Sequence, residues 1–178
     1  MAITPDTKDW TWVIERACPA CGFDPSTVRR DDVGDRIARS AAGWDRALAR
    51  PDARERPDER TWSVLEYGCH VRDVHRIMRE RLELMLGRDG ATFANWDQDV
   101  TAVEDAYGEQ DPATVAGELA DAATAFAHAY RAVAGDEWTR TGLRSNGSAF
   151  TVESFAVYAL HDLEHHRVDV RLDPRPVG

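Results

Sequence analysis

The stretch TVESFAVYALHDLEHHRVDVRL, Thr151 to Leu172, decides the fold class. Within it Tyr158, His161, His165, Val168 and Leu172 recur at alternating spacings of three and four. That recurrence marks one face of an α-helix and the inward seam of a bundle helix. Phe150 and Phe155 are spaced as a hydrophobic staple around its start, and Pro174 stops it. The reading sends two imidazoles, one turn apart, into a helical core.

Three further segments carry the same periodicity. From about Asp31 to Ala49, Val33, Ile37, Ala41, Trp44 and Leu48 recur every three or four residues. A second helix opens at Ser63-x-x-Glu66, a capping box flanked by Trp62 and Tyr67 as a staple. It carries Val71, Val74, Met78, Leu82 and Met85 on one face, and Gly87 supplies a stop. A third opens at Asp111-Pro112, an N-cap followed by proline, and runs through Val115, Leu119, Ala122, Phe126, Ala129 and Val133 to Gly135.

Between the second and third helices, residues 88–110 form a long connection broken at Gly90, Asn95 and Gly108, with helical character around Trp96 to Tyr107. A crossover of this length frees the next helix from lying antiparallel to its predecessor. Asp136 to Ala149 reads as a loop with room for short strand pairing. Few stretches alternate with period two, so no sheet-based domain is expected. The expected fold is all-α. Residues 31–172 form a four-helix bundle with a long crossover between helices 2 and 3. An N-terminal extension, residues 1–30, precedes the bundle, and residues 173–178 form a tail.

The length of 178 residues suits one domain. With 43% hydrophobic and 30% charged residues, the balance is that of a soluble globular chain. No apolar run approaches the ~20 residues that span a bilayer. Met1 to Trp12 carries Asp6 and Asp9 and lacks a signal peptide's apolar core, so a cytoplasmic, membrane-free protein is expected. The net charge of −10 argues against a nucleic-acid partner, which needs clustered Lys and Arg. Lys8 is the only lysine and Asn95 and Asn146 the only asparagines, a bias typical of GC-rich coding sequence.

A buried imidazole without a partner costs on the order of 1–3 kcal/mol, so two on one seam ask for a reason. Residues at i and i+4 stand ~5–6 Å apart at their Cβ atoms. Both rings can therefore meet one ion at ~2.0–2.1 Å. His70, about two turns past the second helix's cap, is placed to supply the third donor if the two helices are neighbours. The expected metal ligands are His70, His161 and His165. His75, His128 and His166 read as surface or packing residues.

Three neutral ligands leave the ion's charge intact and a position open. Such an ion lowers the pKa of a bound water towards ~7 or holds a thiol as thiolate. Glu164 is placed to serve as a base or to orient a ligand, with a solvated surface carboxylate as the plainer reading. No dedicated nucleophile is evident, and no catalytic residue is assigned. His161-Asp162-Leu163-Glu164-His165 also fits the H-x-x-E-H pattern of inverted zinc peptidases, but no Glu follows His165 to complete such a site.

Trp62-Ser63-x-x-Glu66-x-x-x-His70 and His161-x-x-x-His165, each in its own helix, resemble motifs of the DinB/YfiT-like superfamily of metal-binding four-helix bundles. The resemblance covers roughly residues 30 to 172. It implies one divalent metal ion, zinc or nickel, on His70, His161 and His165. Related bundles include S-transferases and isomerases that use a low-molecular-weight thiol such as bacillithiol or mycothiol. The resemblance thus implies thiol S-transfer to a small electrophile, with a small-molecule substrate and such a thiol as partners. Composition favours the mycothiol type. Related bundles often pair, which makes a homodimer compatible with the resemblance. A non-catalytic metal-binding or stress-associated protein is the competing reading.

Cys18-Pro19-Ala20-Cys21-Gly22-Phe23 looks like one knuckle of a zinc ribbon, yet a ribbon needs a second pair. Only Cys69 remains, and it reads as a small buried apolar residue. The pair is open to three readings: a loop brace, a second metal site completed by a histidine or a partner chain, or a redox pair without a thioredoxin-like context. Trp10 and Trp12 are expected to fasten the extension to the bundle.

Overall fold

A computed structural model of the protein describes residues 9–174. The expectations that fall before Asp9 or beyond Pro174 lie outside the described residues.

The first predicted helix is two helices, α1 (Val33–Ser40) and α2 (Trp44–Leu48). The break is Gly43, whose φ of +88° lies in the left-handed region that glycine alone adopts at little cost. Both pieces keep the predicted stripe inside: Ile37, Trp44 and Leu48 are buried.

The second predicted helix is α3 (Val64–Gly87), and its capping box is present. Ser63 Oγ accepts from the Glu66 amide at 3.2 Å, and Glu66 Oε2 accepts from the Ser63 amide at 2.9 Å. Arg56 pairs with the same carboxylate. The staple rings of Trp62 and Tyr67 meet edge to face at 5.5 Å.

The long connection holds β1 (Ala91–Phe93) and α4 (Gln98–Glu104), the latter capped by Asp97. Then follows α5 (Pro112–Arg131), with Asp111 accepting from the Thr114 amide at 2.9 Å. The expected loop holds β2 (Thr141–Arg144) and ends at the first residue of β3 (Ala149–Thr151), which runs on to the expected helix start and leads into α6 (Val152–Asp169).

β2 is central in the small sheet, parallel to β1 and antiparallel to β3. Gly142 is required there, since a Cβ would meet Met85 and Phe93 at 2.8 Å. The predicted staple at the start of α6 is real, with the Phe150 and Phe155 rings 5.5 Å apart. α6 ends earlier than expected. Arg171 turns left-handed (φ +61°), and the Arg171 and Leu172 amides bond back to Val168 and Arg167 in a Schellman arrangement.

α3 packs against α5 and α6, and α1 closes the bundle against the same two helices. Leu65, Val71, Leu82, Leu119, Phe126 and Leu160 are fully buried among them. Each such side chain contributes roughly 1.5–3 kcal/mol.

On α6 the bundle-facing stripe is Phe155, Ala159, Leu160 and Leu163, all buried. At 3.6 residues per turn, His161 and His165 fall about half a turn away from it. They are on the far face of the helix, and the N-terminal segment covers them: its 3-10 turn, Thr11–Ile14, packs against α6. Of the seam read from the sequence, His161 and His165 meet the extension rather than the bundle core, while Leu172 lies beyond the end of α6.

Candidate metal centres

His70 sits two turns into α3, fully buried, and neither ring nitrogen has a hydrogen-bond partner. Its plane stacks on Trp96 at 5.4 Å with a 7° tilt, and Trp62 lies 5.3 Å away. The ring of His166, from the last turn of α6, approaches edge-on at 4.8 Å. Asp162, one turn earlier on α6, places Oδ1 3.6 Å from His70 Nε2 and 3.0 Å from His166 Nε2. His70, Asp162 and His166 thus offer three donor atoms, all within 4.8 Å of one another.

Behind this set, Asp169 Oδ2 accepts from His166 Nδ1 at 2.9 Å. A carboxylate on the outer nitrogen fixes a histidine's tautomer and aims the other nitrogen, here Nε2, inward. Electrostatics follow the geometry. Burial lowers the pKa of His70, with Asp162 opposing it. Burial alone would lower His166 too, but Asp162 and Asp169 outweigh it and push the imidazole up to about 9. Burial works to raise Asp162, yet His166, bonded to it at 3.0 Å, and the nearby ring of His70 hold it well below the ordinary carboxylate range.

The second set lies on the other side of α6. Cys18, Cys21, His161 and His165 offer four donor atoms, again all within 4.8 Å of one another. Cys18 Sγ is 3.8 Å from His165 Nδ1. His161 is buried and its Nε2 has no hydrogen-bond partner. Trp10 stacks on it at 5.5 Å, while Phe23 meets it edge-on at the same distance. The aromatic anchoring expected of Trp10 and Trp12 is therefore made on the histidines themselves, with Trp12 6.4 Å from His161.

Both sets border a cavity of about 390 Å³. Trp10, Trp62, Tyr67 and Tyr158 form much of its wall, and Arg60 stands at its edge. The Tyr158 hydroxyl accepts from Arg144 Nη1 at 3.2 Å. Burial raises the Tyr158 pKa, so the group stays a phenol with its proton free to donate.

The expected triad is therefore divided. His70 stands with Asp162 and His166, whereas His161 and His165 stand with Cys18 and Cys21. The expected seam placed His166 among surface or packing residues, and the structure moves it into the first set. Asp162 and Asp169 were not singled out at all. The signal was present: Asp162-x-x-x-His166 is also an i, i+4 pair, one residue out of phase with His161-x-x-x-His165. His75 and His128 match their reading. His75 is buried, with Nδ1 2.7 Å from the Val71 carbonyl, and His128 is exposed on α5. Glu164 binds Arg36 of α1 through both oxygens at 2.9 Å, which ties it away from the cavity. Cys69 is buried, as read, with Sγ 3.7 Å from the Tyr107 carbonyl.

Fold and site together define a helical-bundle protein with histidine-rich, metal-competent clusters on its last helix. The orphaned nitrogens of His70 and His161 fit that description, because a buried imidazole without a partner is unfavourable unless something is bound there. The chain belongs to the DinB superfamily, whose family model matches residues 45–169. Among solved structures it is similar to YfiT from Bacillus subtilis, described as "a probable metal-dependent hydrolase with an unusual four-helix bundle topology". The TM-score is 0.72 at 15% identity, over 89% of this chain and 92% of that one. No curated protein matches the chain. No helix among the described residues is long and apolar enough to cross a membrane.

Proposed function

We propose that the protein is a divalent-metal-dependent enzyme acting on small molecules, with His70, Asp162 and His166 as its metal ligands. The carrying observation is His70: fully buried, without a hydrogen bond at either nitrogen, and facing a carboxylate and a second imidazole beside a cavity. Three protein donors leave an open position, the arrangement of catalytic rather than structural zinc sites. A divalent ion on these donors, zinc or nickel, would supply a Lewis acid that keeps a thiol or a water deprotonated near neutral pH.

The surrounding residues have definable roles. The stack on Trp96 fixes the plane of His70, and Asp169 fixes His166. Trp62 and Trp10 present apolar walls that exclude water from one side of the cavity. Arg60 offers a charge for an acidic substituent of the substrate. Tyr158, braced by Arg144, can donate a hydrogen bond to negative charge developing on a bound group.

The finer reading is thiol S-transfer to a small electrophile, with a mycothiol- or bacillithiol-type cosubstrate. It is supported by where the protein's own thiols lie: Cys18 and Cys21 belong to the second cluster, and Cys69 is buried against Tyr107. A thiol nucleophile would then come from a cosubstrate. Hydrolysis is the second reading, favoured by the description of the structurally similar YfiT. Metal-loaded protein should be assayed with a panel of electrophiles, with and without thiols. Metal-dependent loss of thiol and electrophile together supports transfer. Turnover with water alone supports hydrolysis. Metal retained without turnover in either assay supports a non-catalytic metal-binding protein and overturns the enzyme reading.

A further inference from the structure

We propose that Cys18, Cys21, His161 and His165 form a closed, structural zinc site that fastens the N-terminal segment across α6. This inference stands independently of the catalytic reading, because it uses none of the same ligands.

The donor set comes first. Two thiols and two imidazoles with all donor atoms within 4.8 Å of one another form a Cys2His2 set. A tetrahedral ion with ~2.3 Å bonds to sulfur and ~2.0–2.1 Å bonds to nitrogen needs donor separations of about 3.3–3.8 Å. Cys18 Sγ and His165 Nδ1 are already 3.8 Å apart. Side-chain adjustment of about an ångström closes the rest. Soft thiolates with imidazoles in a tetrahedral arrangement select zinc over magnesium, calcium or manganese.

The backbone around the cysteines is built for this. The Gly22 amide donates to the Cys18 carbonyl at 2.8 Å, and the Cys18 amide donates to the Phe23 carbonyl at 2.8 Å. Gly22 has φ +77°, which lets the chain turn tightly after Cys21. The Phe23 amide lies 3.5 Å from Cys21 Sγ and points a donor at the sulfur. Both thiols thereby face the same side of a knuckle.

The opposing histidines are prepared in the same way. His161 is 5% exposed, and its unpartnered Nε2 is a buried polar atom in want of a ligand. His165 turns Nδ1 towards Cys18, while its Nε2 lies 3.7 Å from Asp169 Oδ2. That same oxygen holds His166 in the other cluster. One carboxylate therefore backs a histidine from each set, in the position that outer-shell carboxylates take behind metal-bound imidazoles.

The alternatives for the cysteine pair explain less. A Cys18–Cys21 disulfide would leave His161 Nε2 buried without a partner. A loop brace gives no reason for two histidines beneath the loop. The segment itself needs a fastener: residues 11–30 contain only two 3-10 turns, Thr11–Ile14 and Pro25–Thr27, and no longer helix or strand. Four protein donors leave no open position, so the site holds structure rather than substrate.

The test uses untagged, full-length protein loaded with zinc and, separately, with cobalt. Elemental analysis should find two ions per chain in the wild type. It should find one in Cys18→Ser/Cys21→Ser, and one in His70→Ala/His166→Ala. The cobalt form should show thiolate-to-metal charge-transfer absorption in the wild type and in His70→Ala/His166→Ala. If the cysteine variant fails to fold, the wild-type cobalt spectrum alone decides. Absence of that absorption, a Cys18–Cys21 disulfide in freshly reduced and reisolated protein, or a folded cysteine variant with undiminished zinc would each overturn the proposal. A wild type holding a single ion, with the absorption present in His70→Ala/His166→Ala, would support the cysteine site and overturn the catalytic one.

Discussion

On α6, two pairs of side chains one residue out of register meet different environments. Asp162 and His166 turn towards α3 and meet His70 across the bundle seam. His161 and His165 turn towards the N-terminal segment and meet two thiols. The first set has three donors, one of them an oxygen. The second has four donors, two of them sulfur, beneath Trp10 and Phe23. Number and softness of donors separate an open site from a closed one, although a single helix supplies half or more of each.

A similar contrast exists on α3. His70 and His75 are both fully buried, five positions apart. His75 is provided for: its Nδ1 is 2.7 Å from the Val71 carbonyl, and Ser40 Oγ lies 3.4 Å from Nε2. His70 has a hydrogen bond at neither nitrogen. Burial alone therefore does not mark a candidate ligand; an unmet ring nitrogen beside other donor atoms does.

The largest expected effect falls on the open set. His70→Ala should lose more than a hundredfold in metal-dependent activity and one bound ion, while far-ultraviolet circular dichroism keeps its helical signature. The threshold lies beyond the ~10–100-fold typical of outer-shell changes, because a ligand itself is removed. Retention of both ions in His70→Ala would break the comparison.

His75 sharpens it from the other side. Burial pushes its imidazole down from 6.5 to about 4. The folded protein keeps His75 neutral where the unfolded chain protonates, so its share of stability is intact above pH 6.5 and is lost as pH falls towards 4. The loss is on the order of 3 kcal/mol at ~1.36 kcal/mol per pKa unit. Denaturant melts should therefore show a shallower acid dependence for His75→Gln than for the wild type. Parallel profiles would contradict the account of His75.

Asp169→Asn tests the shared carboxylate. It should weaken metal affinity at the open set by roughly 10–100-fold while leaving the fold intact. Competition with a chromophoric chelator reads this out, and unchanged affinity would detach Asp169 from the site. The smallest effect is local: Ser63→Ala removes the cap of the helix that carries His70 and should cost ~1 kcal/mol in a chemical melt, without loss of metal.

Much of this architecture was legible in the residues. The capping box at Ser63, the Asp111-Pro112 start and both staples fall where their spacings place them, since each is a local signal. Gly43 split the first helix because a left-handed residue ends a helix that apolar periodicity alone would carry through. The small sheet joins the crossover to the later hairpin, a long-range pairing that three- and four-residue strands do not announce.

At the site, the sequence reading puts His70, His161 and His165 on one ion, whereas the structure groups His70 with Asp162 and His166. Periodicity reports a buried face without naming what buries it. The seam through His161 and His165 is buried by the extension, so the pair belonging to α3 lies one residue further on, at Asp162 and His166. The CxxC knuckle carried a further signal, since two thiols acting as half of a tetrahedral site would call for two more donors.

The central claim, two donor sets divided between opposite sides of α6, is tested most directly by X-ray absorption on zinc-loaded full-length protein, read alongside the metal count. The account predicts two ions per chain and an averaged first shell in which nitrogen and oxygen outnumber sulfur, with sulfur at ~2.3 Å. After His70→Ala/His166→Ala, it predicts a single ion with equal numbers of sulfur and nitrogen neighbours. One ion per chain in the wild type, with a shell of imidazole and oxygen and no sulfur, would contradict it.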